Sequence, residues 1–334
     1  MKRALLLGLT LAGLAVAGDP AFAYLKLGGQ RTSGGIVTLK WLNLPVRYFV
    51  TNRAGGGVSA AQLEQAVSRA FGSWTGVPLT ELSSQFAGFT SAAPVLRDGM
   101  TTIGFADRPD LDRVLGSTNF LFDTINGEIV ESDIFLNSAP FLWSVAQGGE
   151  ANRYDVESIA LHEIGHLLGL GHSALGETEL RAGGRRVLGA EAVMFPIAFS
   201  DGTTEGRTLK SDDMAGIADS YPGTGFRQER GSISGTVMKA GRGVLGAHVI
   251  AFNTRTGKMV GGFSLTEDGR FVIAGLEAGP HVLRAEPLDD GDVESFFDLT
   301  LNIDSNFQVK FHDRVVVVPR GGGASNVAIT VIPK

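Results

Sequence analysis

The chain has 334 residues, is 43% hydrophobic and 19% charged, and carries a formal net charge of −6, an ordinary globular balance at a length sufficient for two domains. That acidic balance, with no basic run, argues against nucleic acid or an anionic membrane as a partner. With no cysteine at all, disulfides and lipid attachment through cysteine are excluded.

Lys2-Arg3, an apolar run over residues 4–17 and then Ala21-Phe22-Ala23 have the three regions of a secretory signal ending in an A-x-A cleavage site. The run is too short to span a bilayer, and no later segment approaches a membrane span. The expectation is a signal peptide over residues 1–23, a mature chain opening at Tyr24, a short N-terminal segment over 24–44, and export to a periplasm or secretion into the medium.

Residues 45–50 alternate and are rich in β-formers, which predicts a strand, and Ala54-Gly55-Gly56-Gly57 breaks it. Ser59 and Gln62 form a capping box. Leu63, Val67, Ala70, Phe71 and Trp74 then recur at helical spacing, so this helix reads as core packing. Residues 82–94 carry no period and read as irregular, and residues 102–105 as a short strand. Residues 115–122 alternate, and Asn126-Gly127 is a hairpin turn into a strand over 129–136. Asp123, Asn126, Glu128, Glu131 and Asp133 surround that hairpin. Asp155 is the N-cap expected for the next helix, which contains Ile159 and Leu161.

That helix carries Leu161-His162-Glu163-Ile164-Gly165-His166-Leu167-Leu168-Gly169-Leu170-Gly171-His172-Ser173, with the skeleton H-E-x-x-H-x-x-G-x-x-H. His162 and His166 stand one turn apart on one helix face and can grip one metal ion together. Glu163 follows the first of them, which turns its carboxylate toward the open side of that ion. Gly169 can take positive φ without steric cost, so the helix can stop there and the chain can bring His172 round as a third ligand. Three nitrogens with a fourth position left to water is the layout of a catalytic zinc, whereas a structural zinc closes with four protein ligands. Only 6 histidines occur in the chain and half of them fall in this stretch.

These residues resemble the metzincin metallopeptidases and, within them, the matrixins, the family of the matrix metalloproteinases. Ser173 after the third histidine is the matrixin variant of the motif. Ala192-Val193-Met194-Phe195-Pro196 looks like the family's Met-turn, which lays a methionine beneath the ligands, and Asp212-Asp213-Met214-Ala215-Gly216-Ile217 resembles its closing helix. The resemblance implies an α+β zincin-type fold over residues 45–224, with a twisted mixed sheet and an active-site helix. It also implies one catalytic Zn2+ on His162, His166 and His172, and Glu163 as general base. Gly169, Met194, Pro196 and Asp213 are supporting residues in that reading, Asp213 bracing the Met-turn. The first hairpin strand corresponds to the sheet edge on which an extended peptide substrate adds by main-chain hydrogen bonds.

Related enzymes bind Ca2+ near the acidic cluster. Here no recognisable calcium loop is kept, and turn chemistry with a solvated face accounts for those residues more simply. The separation from His172 to Met194 is 194 − 172 = 22 positions, longer than in the animal enzymes, and Gly183-Gly184-Arg185-Arg186 reads as a flexible insertion. Where the family often has tyrosine two residues beyond the Met-turn proline, this chain has Ala198 followed by Phe199. Many matrixins are held latent by a propeptide cysteine on the zinc. No cysteine is available for that here, so control by a separate protein inhibitor is expected.

Tyr221-Pro222-Gly223-Thr224-Gly225 reads as a domain boundary. Beyond it, short strands at close spacing with Gly-rich turns argue for an all-β sandwich over residues 231–334. That half resembles the carboxypeptidase regulatory-like, transthyretin-type domain. His248, His281 and His312 are isolated and read as ordinary histidines. The expected protein is thus a secreted zinc endopeptidase acting on extracellular or periplasmic proteins. Its rival is a catalytically silent, zinc-containing surface-binding or adhesion module that uses the β-sandwich.

Overall fold

Alternating residues in the first half and Gly-punctuated strands in the second build separate sheets, and the computed structural model describes them over residues 5–8, 26–30, 36–181, 184–298 and 300–334. The expected cleavage site at residues 21–23, Tyr24 and Gly183 lie outside the described residues. In chain order the first half contains β1 (Leu5–Gly8), β2 (Gly28–Gln30), β3 (Ile36–Thr38), β4 (Val46–Thr51), α1 (Ala60–Thr75), β5 (Ser84–Thr90), β6 (Thr102–Ala106), β7 (Gly116–Asp123) and β8 (Ile129–Asn137). There follow β9 (Trp143–Ser144), β10 (Tyr154–Asp155), α2 (Val156–Leu167), β11 (Gly176–Arg181), β12 (Gly184–Ala190) and α3 (Ser211–Ser220).

The main sheet has the order β1-β7-β8-β6-β4-β5. β8, β6, β4 and β5 run parallel, and β7 returns antiparallel to β8 through the turn at Gly127, whose φ is +78°. Strand β5 occupies much of the stretch that its sequence marked as irregular. It pairs with β4 from Val46↔Ser84 to Thr51↔Thr90 with a register shift. Its weak period reflects an edge strand, half-exposed and interrupted by Gly88 at φ +125°.

Helix α1 starts on the Ser59–Gln62 capping box and buries Leu63, Val67, Ala70, Phe71 and Trp74. The Trp74 indole N–H donates to Leu161 O at 2.9 Å, so α1 holds α2 by a hydrogen bond as well as by apolar packing. Asp155 caps α2 through Ser158 N at 2.8 Å and is itself held by Arg207.

The second half holds α4 (Phe226–Glu229), β13 (Arg230–Lys239), β14 (Arg242–Gly243), β15 (His248–Asn253), β16 (Met259–Phe263), β17 (Arg270–Glu277), β18 (Gly279–Glu286), β19 (Lys310–Phe311), β20 (Val316–Val318) and β21 (Gly323–Val331). One sheet runs β14-β13-β17 with β21 parallel to β13. The other runs β16-β15-β18-β19 with β20 on β18. Val237, Ala251, Phe271, Ile273, Leu283 and Ile329 lie in one buried cluster.

That cluster does not stop at residue 222. It also contains Ile217 and Ala218 of α3 and Trp74 and Ile164 of the first half. Gly275 approaches Ala215 so closely that a Cβ would stand 3.0 Å from the Ala215 methyl, so α3 lies directly on β17. Residues 176–181 and 184–190, around the expected insertion, pair as an antiparallel ribbon of β11 and β12 whose ladder is anchored to the second half through Thr178 and Arg185.

Candidate metal centre

The end of α2 is built by a small number of local rules. Gly169 has φ +92°, donates its N–H to His166 O at 2.8 Å, and Leu170 N donates to Gly165 O at 3.0 Å, the two hydrogen bonds of a Schellman turn. A Cβ at Gly169 would collide with Leu39 O, so side-chain-free backbone is required there twice over. The last carbonyls of the helix, which lack intrahelical partners, are taken up by distant side chains: Trp41 Nε1 donates to Leu167 O at 2.8 Å and the Tyr221 hydroxyl to Leu168 O at 2.9 Å.

This turn carries His172 back to His162 and His166. The Nε2 atoms of His162 and His172 each lie 3.1 Å from His166 Nε2, and the three ligand atoms fall within 4.8 Å of one another. Among the described residues this is the only group of three or more His, Asp or Glu side chains able to share an ion.

Each ring has its other nitrogen occupied. His162 Nδ1 donates to Val193 O at 2.8 Å, His166 Nδ1 to Leu170 O at 2.8 Å, and His172 Nδ1 to Ser295 O at 2.6 Å. A proton on each Nδ1 leaves each Nε2 with a bare lone pair facing the other two. Burial and the neighbouring imidazoles keep His166 well below the usual histidine range. Burial, then His162, push His172 down to about 3. Three neutral acceptors with no donor between them repel, unless a cation sits at their centre. Ligands ~2.1 Å from a tetrahedral zinc stand roughly 3.4 Å apart, close to the two separations of 3.1 Å, so the residues fit that ion.

Glu163 is buried beside this centre, and the Thr118 hydroxyl of β7 donates to its Oε2 at 2.6 Å. Burial pushes its carboxyl above the usual range, with His162 and Thr118 pulling the other way. Gly116 of β7 faces the same side chain: a Cβ there would lie 3.0 Å from Glu163 Cγ. The strand therefore lies flush against the carboxylate.

Met194 lies under α2, where a Cβ on Gly165 would run into its sulfur. Its turn is pinned by Asp213, which accepts from Val193 N at 2.8 Å, Met194 N at 3.1 Å and Lys210 N at 2.8 Å. Burial raises the Asp213 carboxyl, and those three N–H groups and His162 lower it. Asp212, one residue earlier, is hydrogen-bonded to Ser173 and accepts Gly261 N at 2.8 Å, with burial first and Asp213 second among the causes that push it up to about 7.

Pro196, Ala198 and Phe199 line a cleft of ≈ 810 Å³ together with the three histidines, Glu163 and residues 114–118. Asp292, Glu294, Ser295, Phe296 and Phe297 of the second half line it too. The sequence pattern does not single out Thr118, Ser295 or Phe296, and it marks Asp212 only as the neighbour of Asp213 in the closing helix. Thr118 carries a signal, since its strand was marked as the cleft edge; Ser295, 123 residues from His172, carries none.

The acidic residues of the hairpin do not converge on a cation. Asp123 Oδ1 accepts from Ile125 N, Asn126 Oδ1 from Glu128 N, Glu131 from the backbone of Arg97, Asp98 and Gly99, and Asp133 Oδ1 from Thr102 N, while Glu128 accepts from Asn43. His248 pairs with Glu286 and His281 with Gly279 O, in keeping with structural roles. No helix among the described residues is long and apolar enough to cross a membrane.

Compared with known proteins, residues 40–222 match the sequence profile of the Matrixin family. The chain is 30% identical over 165 residues to Metalloendoproteinase 2-MMP of Arabidopsis thaliana, covering 47% of this chain and 36% of that protein. It is 30% identical over 167 residues to Metalloendoproteinase 1-MMP of the same plant, covering 49% and 39%. It therefore spans less than half the length of these relatives. Among solved structures, the Bacillus anthracis TIE protein aligns with 31% of this chain and 17% of its own at 16% identity and a TM-score of 0.20, a likeness that carries no argument. With more than half of its 334 residues inside the family match, the chain belongs to the matrixins.

Proposed function

We propose that the protein is an exported zinc metalloendopeptidase that cuts peptide bonds in extracellular or periplasmic proteins. The observation that carries this reading is the convergence of three bare Nε2 lone pairs beside a buried carboxylate in one open cleft. His162, His166 and His172 hold the metal. A zinc ion held there would supply Lewis acidity and acidify a water for attack.

Glu163 is the general base. The Thr118 hydroxyl fixes one of its oxygens, so that the carboxylate is held to take a proton from water and hand it to the leaving amine. Met194 supports the ligand helix from below without bonding the ion, and Asp213 braces the turn that carries it.

The substrate lies extended along β7, adding to residues 115–118 by main-chain hydrogen bonds beside the histidines. The backbone of β1 pairs with β7 only from Phe120 to Asp123, beyond that stretch. In this reading residues 1–23 are a cleaved signal, residues 45–224 the peptidase domain and residues 231–334 a carboxypeptidase regulatory-like, transthyretin-type sandwich. A separate protein inhibitor restrains the enzyme.

The test is cleavage of an unbiased peptide library by zinc-loaded protein beginning at Tyr24, with Glu163→Ala alongside. The wild type is expected to cut, and the variant to keep zinc while losing roughly 10²–10⁴-fold in rate. Zinc-bound wild type that cuts nothing would overturn the peptidase reading in favour of a surface-binding module.

A further inference from the structure

We infer that the C-terminal sandwich is a working part of the metal site, with residues 289–297 as the positioning element for His172. The inference rests on the proposal that the three histidines bind zinc, and it goes beyond it by naming what holds the third ligand.

His162 and His166 are oriented by carbonyls of their own half, Val193 O and Leu170 O. His172 is not: its Nδ1 donates to Ser295 O, at 2.6 Å the shortest of the three contacts. Ser295 ends a 3₁₀ turn, Val293–Ser295, in the connection beyond β18. The Phe296 ring stands edge-on to the His172 imidazole, centroid to centroid 6.3 Å. A carbonyl on Nδ1 sets the tautomer that presents Nε2 to a metal, and the ring beside it limits rotation about the side-chain torsions.

The chain that follows His172 is fastened to the same half. Ala174 is buried in a cluster with Phe263, Leu265, Leu288, Phe296 and Phe297, and Leu175 in another with Ile250 and Met259. The 289–292 stretch is tied down by the β11–β12 ribbon. Thr178 N donates to Asp290 Oδ1 at 2.9 Å, the Thr178 hydroxyl to Asp290 O at 2.9 Å, and Arg185 to Asp289 O at 2.9 Å. An independent accessory domain on a linker would have no reason to supply an acceptor to a metal ligand or to bury the residues that follow it. The long separation between His172 and Met194 has a role in this arrangement: the ribbon it contains clamps the segment that orients His172.

The test uses full-length zinc-loaded protein. Phe296→Ala removes the ring behind His172, Asp290→Ala removes the clamp bond that its side chain accepts from Thr178 N without touching the cluster, Phe296→Leu is the conservative partner, and Arg270→Ala is an exposed control on β17. The readouts are the rate of zinc release to excess chelator, the absorption spectrum of the cobalt(II)-substituted protein, and the thermal midpoint. Phe296→Ala is expected to release zinc about 10-fold faster or more and to change the cobalt spectrum, Asp290→Ala to do so less, and Phe296→Leu and Arg270→Ala to match wild type. Should Phe296→Ala fail to fold, Asp290→Ala decides. Folded variants at positions 290 and 296 with wild-type release rates and spectra would overturn the inference. Wild type that binds no zinc would overturn the metal site beneath it, a distinct result.

Discussion

Asp213 joins the closing helix to the metal centre, and Asp213→Asn isolates that link. The carboxylate accepts three backbone N–H groups, with Oδ2 taking Val193 and Lys210 and Oδ1 taking Met194. Asparagine keeps one acceptor oxygen, so when this stays with the Val193 and Lys210 pair, its amide group faces the Met194 N–H. One hydrogen bond to a charged acceptor, worth ~1.5–3 kcal/mol, is lost, a buried donor is left unsatisfied, and two others weaken to neutral strength. Against this, burial pushes the Asp213 carboxyl up, so asparagine escapes part of a desolvation cost. The balance is a destabilisation of about 2 kcal/mol, or roughly 4–8 °C in Tm at ~2–4 °C per kcal/mol. Val193 also holds His162 through its carbonyl, so the loosened turn should weaken zinc binding by about 10-fold or more. Thermal unfolding and chelator competition read the two effects. A variant whose midpoint and zinc affinity both equal those of wild type would refute the reasoning.

Gly169→Ala places a Cβ on a residue at φ +92° and against Leu39 O, and the left-handed conformation alone costs ~1–2 kcal/mol. The expected variant is destabilised by at least about 2 kcal/mol with weakened zinc binding, and chemical unfolding at wild-type denaturant concentrations would contradict it. Asp133 gives a pH prediction. It is buried, its Oδ2 has no hydrogen-bond partner, and burial pushes its carboxyl up to about 7 against Thr102 N, which lowers it, while Glu131 and Asp98 raise it further. The folded state then binds the extra proton between the unfolded pKa of ~3.9 and about 7, so this group's contribution to stability falls as pH rises through that window and is level above it. Asp133→Asn removes the titration. Relative to wild type the variant should gain on the order of 2–4 kcal/mol between about pH 4 and pH 8, measured by unfolding at each pH, and a gap independent of pH would rule this out.

Much of the architecture is written in short-range pattern. The Ser59–Gln62 box, the Asp155 cap, the Asn126-Gly127 turn and the helical spacing of Leu63 to Trp74 each depend on residues within a turn or two of one another, and each has its counterpart in the structure. The spacing of His162 and His166 places them on one helix face, and Gly169 carries in its own lack of a Cβ the freedom to reverse the chain. These are consequences of backbone geometry acting locally, which is why a sequence read alone can carry them.

Where reading by pattern failed, the deciding contact was distant. β5 has no clear period because it is an edge strand, and its pairing with β4 is set across an intervening helix. The 176–190 stretch looked like a loose insertion because its anchors, Asp289 and Asp290, lie more than a hundred residues downstream. The helix motif places Asp212 beside Asp213, and only the fold brings β16 to it so that Gly261 donates its N–H. The sequence by itself determined helices α1, α2 and α3, the caps of the first two, the hairpin and the set of three histidines and one glutamate. Only the tertiary structure decided that the third histidine answers to Ser295 and Phe296, because a carbonyl acceptor has no sequence signature: any residue can supply one, and the fold chooses which.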